Sequence, residues 1–170
     1  FTQNPEWINY TNGDQVHALA DEGNYLWIGT NGGLVKLNKS TGDRTFYNRS
    51  NSEIPNILIY SIAVDGNGIT WMGTEGGLAK FDGTNWSYYD LSNFALTDSR
   101  VTSIAIDGSG NKWVGLYLSA SGSGAGLAKF DDTNWTFYNS SNSGLPDNRV
   151  SSIAIDTNGN KWIGTWFGGI

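Results

Sequence analysis

The sequence has no cysteine and a single histidine among its 170 residues. The lack of thiols excludes disulfide bridges and thiolate metal sites, and it leaves the redox compartment undetermined. His17 has no cysteine or second histidine with which to share a metal ion. The sequence also specifies no serine and aspartate partners that would make this histidine part of a catalytic triad. We therefore expect no catalytic residues, no metal and no cofactor.

Positive charge is scarce as well. Ten Lys and Arg residues against 16 Asp and Glu residues give a net charge of −6 and a pI near 4.5, and the basic residues form no cluster. Nucleic acids and anionic membrane surfaces are bound by basic patches, so the composition argues against both partners. No apolar run approaches the length of a membrane span, and we expect no membrane insertion in this segment.

Glycine and aromatic residues are plentiful. The chain has 23 glycines and 14% aromatic residues, but only 15% charged residues and 3 prolines. This composition suits a turn-rich β protein, since long helices usually carry more Glu, Lys, Ala and Leu. The length is sufficient to bury a core as one domain.

Four sequence landmarks recur in the same order along the chain. The tryptophan motif stands at YLWIGT (25–30), ITWMGT (69–74), NKWVGL (111–116) and NKWIGT (160–165). It is preceded by VHALADEGN (16–24), SIAVDGNG (61–68), SIAIDGSG (103–110) and SIAIDTNG (152–159). It is followed by GLVKLN (33–38), GLAKFD (77–82) and GLAKFD (126–131). The fourth landmark is aromatic: WINYTN (7–12), TFYNRS (45–50), WSYYDL (86–91) and WTFYNS (135–140).

Each repeat is interpreted as four short strands joined by Gly, Asn and Asp turns. A four-stranded unit of about 42 residues that recurs is typical of a β-propeller blade. We therefore predict an all-β fold, a β-propeller built from four-stranded antiparallel blades with about four repeats present. The predicted division is an outermost strand of a preceding blade at 1–12, blades at 13–50, 57–91 and 99–140, and an incomplete blade at 148–170.

The four motif tryptophans are predicted to form the core between blades. Blades pack face to face, and tryptophan offers the largest side chain to fill the gap between them. The glycine two positions later permits close approach of the backbones. A ligand platform is the less favoured interpretation of this set, which consists of Trp27, Trp71, Trp113 and Trp162.

The joint pattern SIAID-x-x-G-N-x-W-I-G-T-x-G-G-L-A-K-F-D resembles the two-component-regulator propeller repeat over essentially the whole chain. The resemblance implies a propeller, commonly seven-bladed, of the kind found in extracytoplasmic sensor regions of bacterial hybrid sensor kinases and in secreted bacterial proteins. It implies an extracellular or periplasmic location and no catalytic motif. This chain departs from the pattern in its short first copy, in Leu116 where threonine is expected, and in an enlarged third repeat.

The two ends of the chain do not match the blade plan. A lone outermost strand opens the sequence without a methionine or a signal-like segment, and FGGI (167–170) closes it where other copies continue. We interpret the chain as part of a longer, processed or excised array rather than a closed ring of four blades. The remaining blades, from the same chain or another subunit, are then expected partners.

Candidate ligand-binding residues lie in the loops that join blades and in the turns between second and third strands, which share one face. An insert at 116–126 adds seven residues to the third repeat and is expected to form a flexible Ser/Gly loop. Insertions on one face of a repeat protein often build a binding site, but neutral loop drift is the open alternative. The candidates are Tyr117, Trp166, Phe167, Arg100, Arg149 and Glu75.

Each candidate also has a structural interpretation. Trp166 and Phe167 could stack on a sugar ring, or they could cover a neighbouring blade. Arg100 and Arg149 could grip a carboxylate or sulfate, although an aspartate two residues before each could neutralise them. The recurring Asp-x-x-Gly turns resemble the start of a calcium loop but lack its later bidentate acid, so we interpret them as tight turns.

Three functions follow from these patterns. The favoured one is a non-enzymatic binding or interaction module outside the cytoplasm, in a sensor or secreted surface protein, with an oligosaccharide or another protein as its partner. The second is a purely architectural repeat of a surface assembly. The third is a polysaccharide-degrading enzyme on a propeller scaffold, which the fold alone does not exclude.

Overall fold

The computed structural model describes residues 14–94, 96, 99–119 and 121–169, so the strand expected within 1–12 lies outside the described residues. The described chain contains fourteen strands and one short 3₁₀ segment, Ser92–Phe94, with no α-helix among them. In this part of the chain, no helix has the length and apolar character needed to cross a membrane.

The strands follow one another in four groups. The first contains β1 (Val16–Glu22), β2 (Tyr25–Thr30), β3 (Leu34–Asn38) and β4 (Arg44–Tyr47). The second contains β5 (Ile59–Val64), β6 (Thr70–Thr74), β7 (Gly77–Phe81) and β8 (Trp86–Asp90). The third contains β9 (Ser99–Ile106), β10 (Lys112–Leu118), β11 (Ser123–Phe130) and β12 (Trp135–Tyr138). The fourth contains β13 (Val150–Ile155) and β14 (Lys161–Thr165).

Each group forms its own antiparallel sheet, in which every strand pairs with the one before it. Three sheets have four strands, and the described part of the fourth has two. The first strands of successive sheets lie beside one another, β1 next to β5, β5 next to β9 and β9 next to β13. This is the arrangement of propeller blades around an axis, and the predicted all-β propeller fold is confirmed.

The Asp-x-x-Gly sequence explains the turn between the first two strands of a blade. The glycine N–H donates to the aspartate carbonyl, at 3.0 Å between Gly68 and Asp65 and at 2.8 Å between Gly110 and Asp107. Both glycines have φ near +80°, at +78° and +81°, which a residue with a Cβ rarely adopts. The repeated glycine is therefore a requirement of the backbone turn.

The core lies between the blades, where the tryptophan of one blade meets the phenylalanine of the next. Trp27 packs edge-on against Phe81 with ring centroids 6.1 Å apart, and Trp71 packs in the same way against Phe130 at 6.2 Å. Trp27 is 2% exposed and Trp71 is 1% exposed. These indole and phenyl rings, together with aliphatic side chains such as Leu78 and Leu116, form the core between blades.

The glycine two positions after each tryptophan brings the next blade close. A Cβ on Gly73 would lie 2.5 Å from the carbonyl oxygen of Val101 in the next blade. A Cβ on Gly115 would lie 2.8 Å from Cγ1 of Val150. A side chain at either position would clash with the next blade, so glycine permits the close approach of adjacent blades.

The last two motif tryptophans depart from the expected burial. Trp113 is half-buried and stacks on Tyr138 at 5.7 Å, whereas Trp162 is 55% exposed. The reason is the lack of covering strands. In the part of the chain that the structure describes, no strand beside β14 corresponds to the third strand and the next blade that cover Trp71.

Candidate functional site

One end of the blades, here called the loop face, carries most of the candidate residues. It consists of the turns at 31–33, 75–76 and 166–168, the tip of the β10–β11 hairpin, and the connections at 48–58 and 139–149. Direct contacts join these segments. Asn56 donates its side-chain N–H to the carbonyl of Glu75 at 2.6 Å, and the N–H of Trp166 donates to the carbonyl of Arg149 at 3.1 Å.

Glu75 is the centre of a polar cluster that links the second blade to the third. Its Oε2 accepts hydrogen bonds from the Tyr60 hydroxyl and from Nε of Arg100, both at 3.0 Å. Its Oε1 accepts a short hydrogen bond from the hydroxyl of Ser119. A β-bridge between Glu75 and Arg100 fixes the two backbones beside each other. The carboxylate is therefore held from three directions.

The protonation of Glu75 follows from these contacts. Burial raises its pKa, but the hydrogen bonds from Ser119, Arg100 and Tyr60 and the charge of Arg100 outweigh burial. The pKa of Glu75 consequently lies below its ordinary value. The group is ionised at neutral pH and forms a stable ion pair with Arg100.

Arg100 lies between aromatic rings from two blades. Its guanidinium carbon stands 4.2 Å from the ring centre of Tyr60 and 5.9 Å from that of Tyr117. Tyr60 in turn packs against His17 with ring centroids 5.4 Å apart. Burial, followed by the hydrogen bond to Glu75, raises the pKa of Tyr60. These contacts place the guanidinium of Arg100 between the two rings and the Glu75 carboxylate.

The insert of the third repeat is a hairpin extension rather than the loop we expected from sequence. Strands β10 and β11 continue to Leu118 and Ser123, and Tyr117 pairs with Gly124 on one side and Arg100 on the other. Gly124 lies against the next connection so closely that a Cβ there would overlap the backbone of Asn148. The insert therefore places Tyr117 on a strand of a sheet.

The substitution of Leu116 for threonine belongs to this extension. In the other repeats the threonine hydroxyl closes the turn by donating to a glycine carbonyl, as Thr30 does to Gly33 and Thr74 does to Gly77, both at 2.9 Å. The third repeat has no tight turn at this point, because its hairpin continues. Leu116 is instead fully buried in the core between the second and third blades.

Tyr117 and Trp166 form the wall of a cleft between the third and fourth blades. Their rings stack with centroids 6.1 Å apart and an angle of 29° between planes. The indole of Trp166 remains 60% exposed. The cleft has a volume of about 280 Å³, and its lining residues are Arg100, Thr102, Tyr117, Val150, Ser151 and Trp166.

Arg149 and Phe167 lie next to this cleft and are paired with their own neighbours. The guanidinium of Arg149 lies 4.0 Å from the ring centre of Phe167 and donates to the Asp147 carboxylate at 3.1 Å. The hydrogen bond from Arg149 lowers the pKa of Asp147 below its ordinary value. Asp98, the expected partner of Arg100, lies outside the described residues; among those described, Glu75 forms an ion pair with Arg100.

The turn aspartates lie on the opposite face and have their own hydrogen-bond partners. Each accepts from backbone N–H groups of its turn and from the indole N–H of the tryptophan six positions later. These indole bonds are Asp65–Trp71 at 3.2 Å, Asp107–Trp113 at 2.9 Å and Asp156–Trp162 at 3.2 Å. In the first repeat the carboxylate of Glu22 accepts a hydrogen bond from the indole N–H of Trp27 at 2.9 Å. The acid thus accepts hydrogen bonds within a tight turn, as we interpreted it from sequence, and it also orients the motif tryptophan.

The structure links four of the six candidates by direct contacts and adds residues that sequence reasoning missed. Glu75 contacts Arg100, Arg100 lies beside Tyr117, and Tyr117 stacks on Trp166. Tyr60 and Ser119 were missed, as were Thr102 and Ser151 at the floor of the cleft. A usable signal existed for part of this set. Tyr60, Thr102 and Ser151 occupy the same position in their repeats, directly before the Ser-Ile-Ala run of the first strand.

A larger apolar cavity of about 430 Å³ lies elsewhere between the third and fourth blades, beside Trp113, Tyr138, Leu145 and Trp162. The equivalent space beside Trp71 is occupied by Phe130 of the next blade. This cavity is therefore an uncovered part of the core, and we do not assign it to the site.

Comparison with known proteins agrees with the fold and with the repeat. The two component regulator propeller model matches residues 53–76 and 144–167, which confirms the resemblance drawn from sequence. No curated protein matches the chain.

Solved structures extend this comparison to most of the chain. The extracellular domain of BT3049 from B. thetaiotaomicron, described as a hybrid two component system, is 27% identical with a TM-score of 0.74, over 95% of this chain and 21% of that one. PorZ, a surface component of the type-IX secretion system of Porphyromonas gingivalis, is 24% identical with a TM-score of 0.66, over 91% and 25%. Virginiamycin B lyase from Staphylococcus aureus is 17% identical with a TM-score of 0.69, over 92% and 51%.

The last two likenesses show the fold alone, because their identities are low. The chain spans from about a fifth to about half of the length of these proteins.

Proposed function

We propose that this chain, which carries two component regulator propeller repeats at 53–76 and 144–167, is a non-enzymatic ligand-binding module outside the cytoplasm. Its ligand is an oligosaccharide, and its binding surface is the loop face around Tyr117 and Trp166. The similarity to the extracellular domain from B. thetaiotaomicron supports the location.

The observation that carries this proposal is the cleft built by the one irregular repeat. A seven-residue insert lengthens the β10–β11 hairpin and brings Tyr117 against Trp166, whose indole is 60% exposed beside a cleft of about 280 Å³. Exposed aromatic faces suit the C–H-rich faces of sugar rings. A cleft of this volume is at the small end for ligand sites, so it suits one sugar unit of a longer chain.

The electrostatics of the loop face favour binding over hydrolysis. Acid–base cleavage of a glycoside needs two carboxyl groups, one of which is kept protonated by a raised pKa. The two acids beside the cleft, Glu75 and Asp147, have lowered pKa values and are paired with Arg100 and Arg149. Neither is placed to donate a proton at neutral pH.

An oligosaccharide array tests the proposal. We expect the parent protein to bind at least one oligosaccharide and Trp166→Ala to weaken that binding by about tenfold or more, because it removes the exposed indole. Deletion of the hairpin tip from Ser119 to Gly124 should have the same effect through Tyr117. Tyr25→Ala, which removes a partly exposed ring from the first blade, is the matched control and should bind like the parent.

Two results would contradict the proposal. Retention of binding by both loop-face variants, together with its loss on changes in the DGTN or DDTN turns, would place the site on the opposite face. A parent protein that binds no oligosaccharide would favour the architectural role.

A further inference from the structure

Two features of the cleft determine which sugars it suits: the pairing of its charges and the orientation of its hydroxyl groups. Resting on the proposed function, we infer that the cleft selects a neutral sugar unit over one that carries a carboxylate or a sulfate.

The positive charge of Arg100, which lines the cleft, is already balanced by the carboxylate of Glu75. Arg100 donates its Nε to Glu75 and is flanked by Tyr60 and Tyr117. The neighbouring Arg149 donates from both Nε and a terminal nitrogen to Asp147. Each arginine therefore has its charge balanced by a neighbouring carboxylate, which weakens its attraction for an anionic ligand.

Two hydroxyl groups of the cleft, those of Thr102 and Ser151, each donate their single proton to a backbone carbonyl. Thr102 Oγ1 donates to the carbonyl of Val150 at 2.9 Å, and Ser151 Oγ donates to the carbonyl of Gly164 at 3.1 Å. A hydroxyl has one proton to donate and two lone pairs that accept. Both groups can therefore accept from a ligand without changing their present bonds.

This arrangement matches the chemistry of a neutral sugar. Sugar hydroxyl groups can donate hydrogen bonds to the remaining lone pairs of the Thr102 and Ser151 hydroxyl oxygens. A carboxylate or sulfate is acceptor-only at neutral pH, so it would face these oxygens without a hydrogen bond. The net charge of −6 adds a long-range repulsion of anions.

The stacking of the two rings decides where the sugar lies. Tyr117 and Trp166 are in contact at 6.1 Å, so a sugar does not enter between them. Tyr117 supports one face of the indole, and the ligand packs on the exposed part of Trp166 with its hydroxyl groups directed to Thr102 and Ser151.

The experiment uses pairs of immobilised oligosaccharides that differ in charge alone, such as methyl-esterified oligogalacturonides and their free acids, together with neutral glucans, mannans and xylans and their uronate or sulfate counterparts. We expect the parent to bind the neutral member of its preferred pair about tenfold more tightly than the acidic member. Equal or tighter binding of the acidic member would overturn the inference.

A charge variant sharpens the test. Glu75→Gln keeps the shape of the side chain and removes the charge that compensates Arg100, so it should reduce the preference for the neutral member several-fold. Asp21→Asn removes the same charge from a surface pair with Lys39 on the opposite face, and it should leave the preference unchanged. An unchanged preference in Glu75→Gln would contradict the role given to the Arg100–Glu75 pair.

The failure of this inference is distinct from that of the proposed function. A parent protein that binds no sugar of either kind overturns the proposed function and this inference with it. A parent that binds acidic sugars through Trp166 supports the proposed function and overturns the inference alone.

Discussion

The same tryptophan motif has two different environments in this molecule. Trp71, between the second and third blades, is 1% exposed and packs against Phe130, whereas Trp162 in the fourth blade is 55% exposed. Each indole N–H donates to the aspartate six positions earlier, at 3.2 Å in both cases. The motif thus fixes the local hairpin, while the third strand and the neighbouring blade decide whether the ring is core.

Replacing these two tryptophans should have the most unequal effects. Trp71→Ala leaves a large cavity between blades and should lower the free energy of unfolding by about 3–5 kcal/mol. Trp162→Ala removes a ring that solvent already reaches and should cost less than about 1 kcal/mol. Chemical denaturation of both variants measures the difference. Similar midpoints for the two variants would show that the covering blade does not determine the contribution of the tryptophan.

Substitution of the motif glycines should also destabilise the second blade more than the fourth, with smaller losses in the free energy of unfolding. A Cβ on Gly73 meets the carbonyl of Val101 in the next blade, so Gly73→Ala forces backbones apart and should cost about 1–3 kcal/mol. At Gly164 the nearest atom is the hydroxyl of Ser152, which can rotate away, and Gly164→Ala should cost less. The comparison fails if Gly164→Ala is the more destabilising of the two in a urea titration.

A third prediction concerns a buried hydroxyl group in the second blade. Thr70 in β6 is buried, and its Oγ1 has no hydrogen-bond partner. Thr70→Val removes this unpaired group and should stabilise the protein by about 1 kcal/mol. Thr74→Val is the control, because the Thr74 hydroxyl donates to the carbonyl of Gly77 at 2.9 Å and its loss should destabilise by a similar amount. Thermal unfolding of the pair should therefore shift in opposite directions.

The smallest expected effect is a pH dependence of the turns. Burial raises the pKa of Asp107, but hydrogen bonds from Trp113, Asn111 and the turn backbone outweigh it and lower the value to about 2. A lowered folded pKa means that the stabilisation is complete above about pH 4 and is lost as the pH falls toward 2. Asp107→Asn removes this titration, so its unfolding midpoint should decline less than that of the parent between pH 4 and pH 2.

The matching turn of the fourth blade completes this comparison. The hydrogen bond from the Asn160 side chain, followed by those from the backbone and Trp162, lowers the pKa of Asp156. Because Trp162 contributes less to the core, Asp156→Asn should change the acid profile less than Asp107→Asn does. A larger change at Asp156 would mean that the turns act independently of the core.

The fold could be predicted because every repeat carries the same strand and turn pattern. Four occurrences of one pattern give the strand order, the turns and the position of Trp27 and Trp71 in the core without any long-range information. The burial of Trp113 and Trp162 could not be predicted in the same way, because it depends on strands that lie outside their own repeat.

The candidate site was only partly predictable for a similar reason. Tyr117 and Trp166 could be singled out because they break the repeat. The contact between Glu75 and Ser119 joins residues 44 positions apart in different blades, and nothing local to either residue encodes it. The run LYLSASGSGAG indicated a flexible loop from composition, but the pairing of β10 with β9 and of β11 with β10 holds its ends in a sheet.

The most direct test of the account is to follow the indole N–H resonances of the eight tryptophans while an array-selected neutral oligosaccharide is added. The account predicts that the Trp166 resonance shifts first and furthest, and that those of Trp27 and Trp71 remain in place because these rings belong to the core. Shifts centred on Trp86 and Trp135, with no change at Trp166, would contradict the assignment of binding to the loop face.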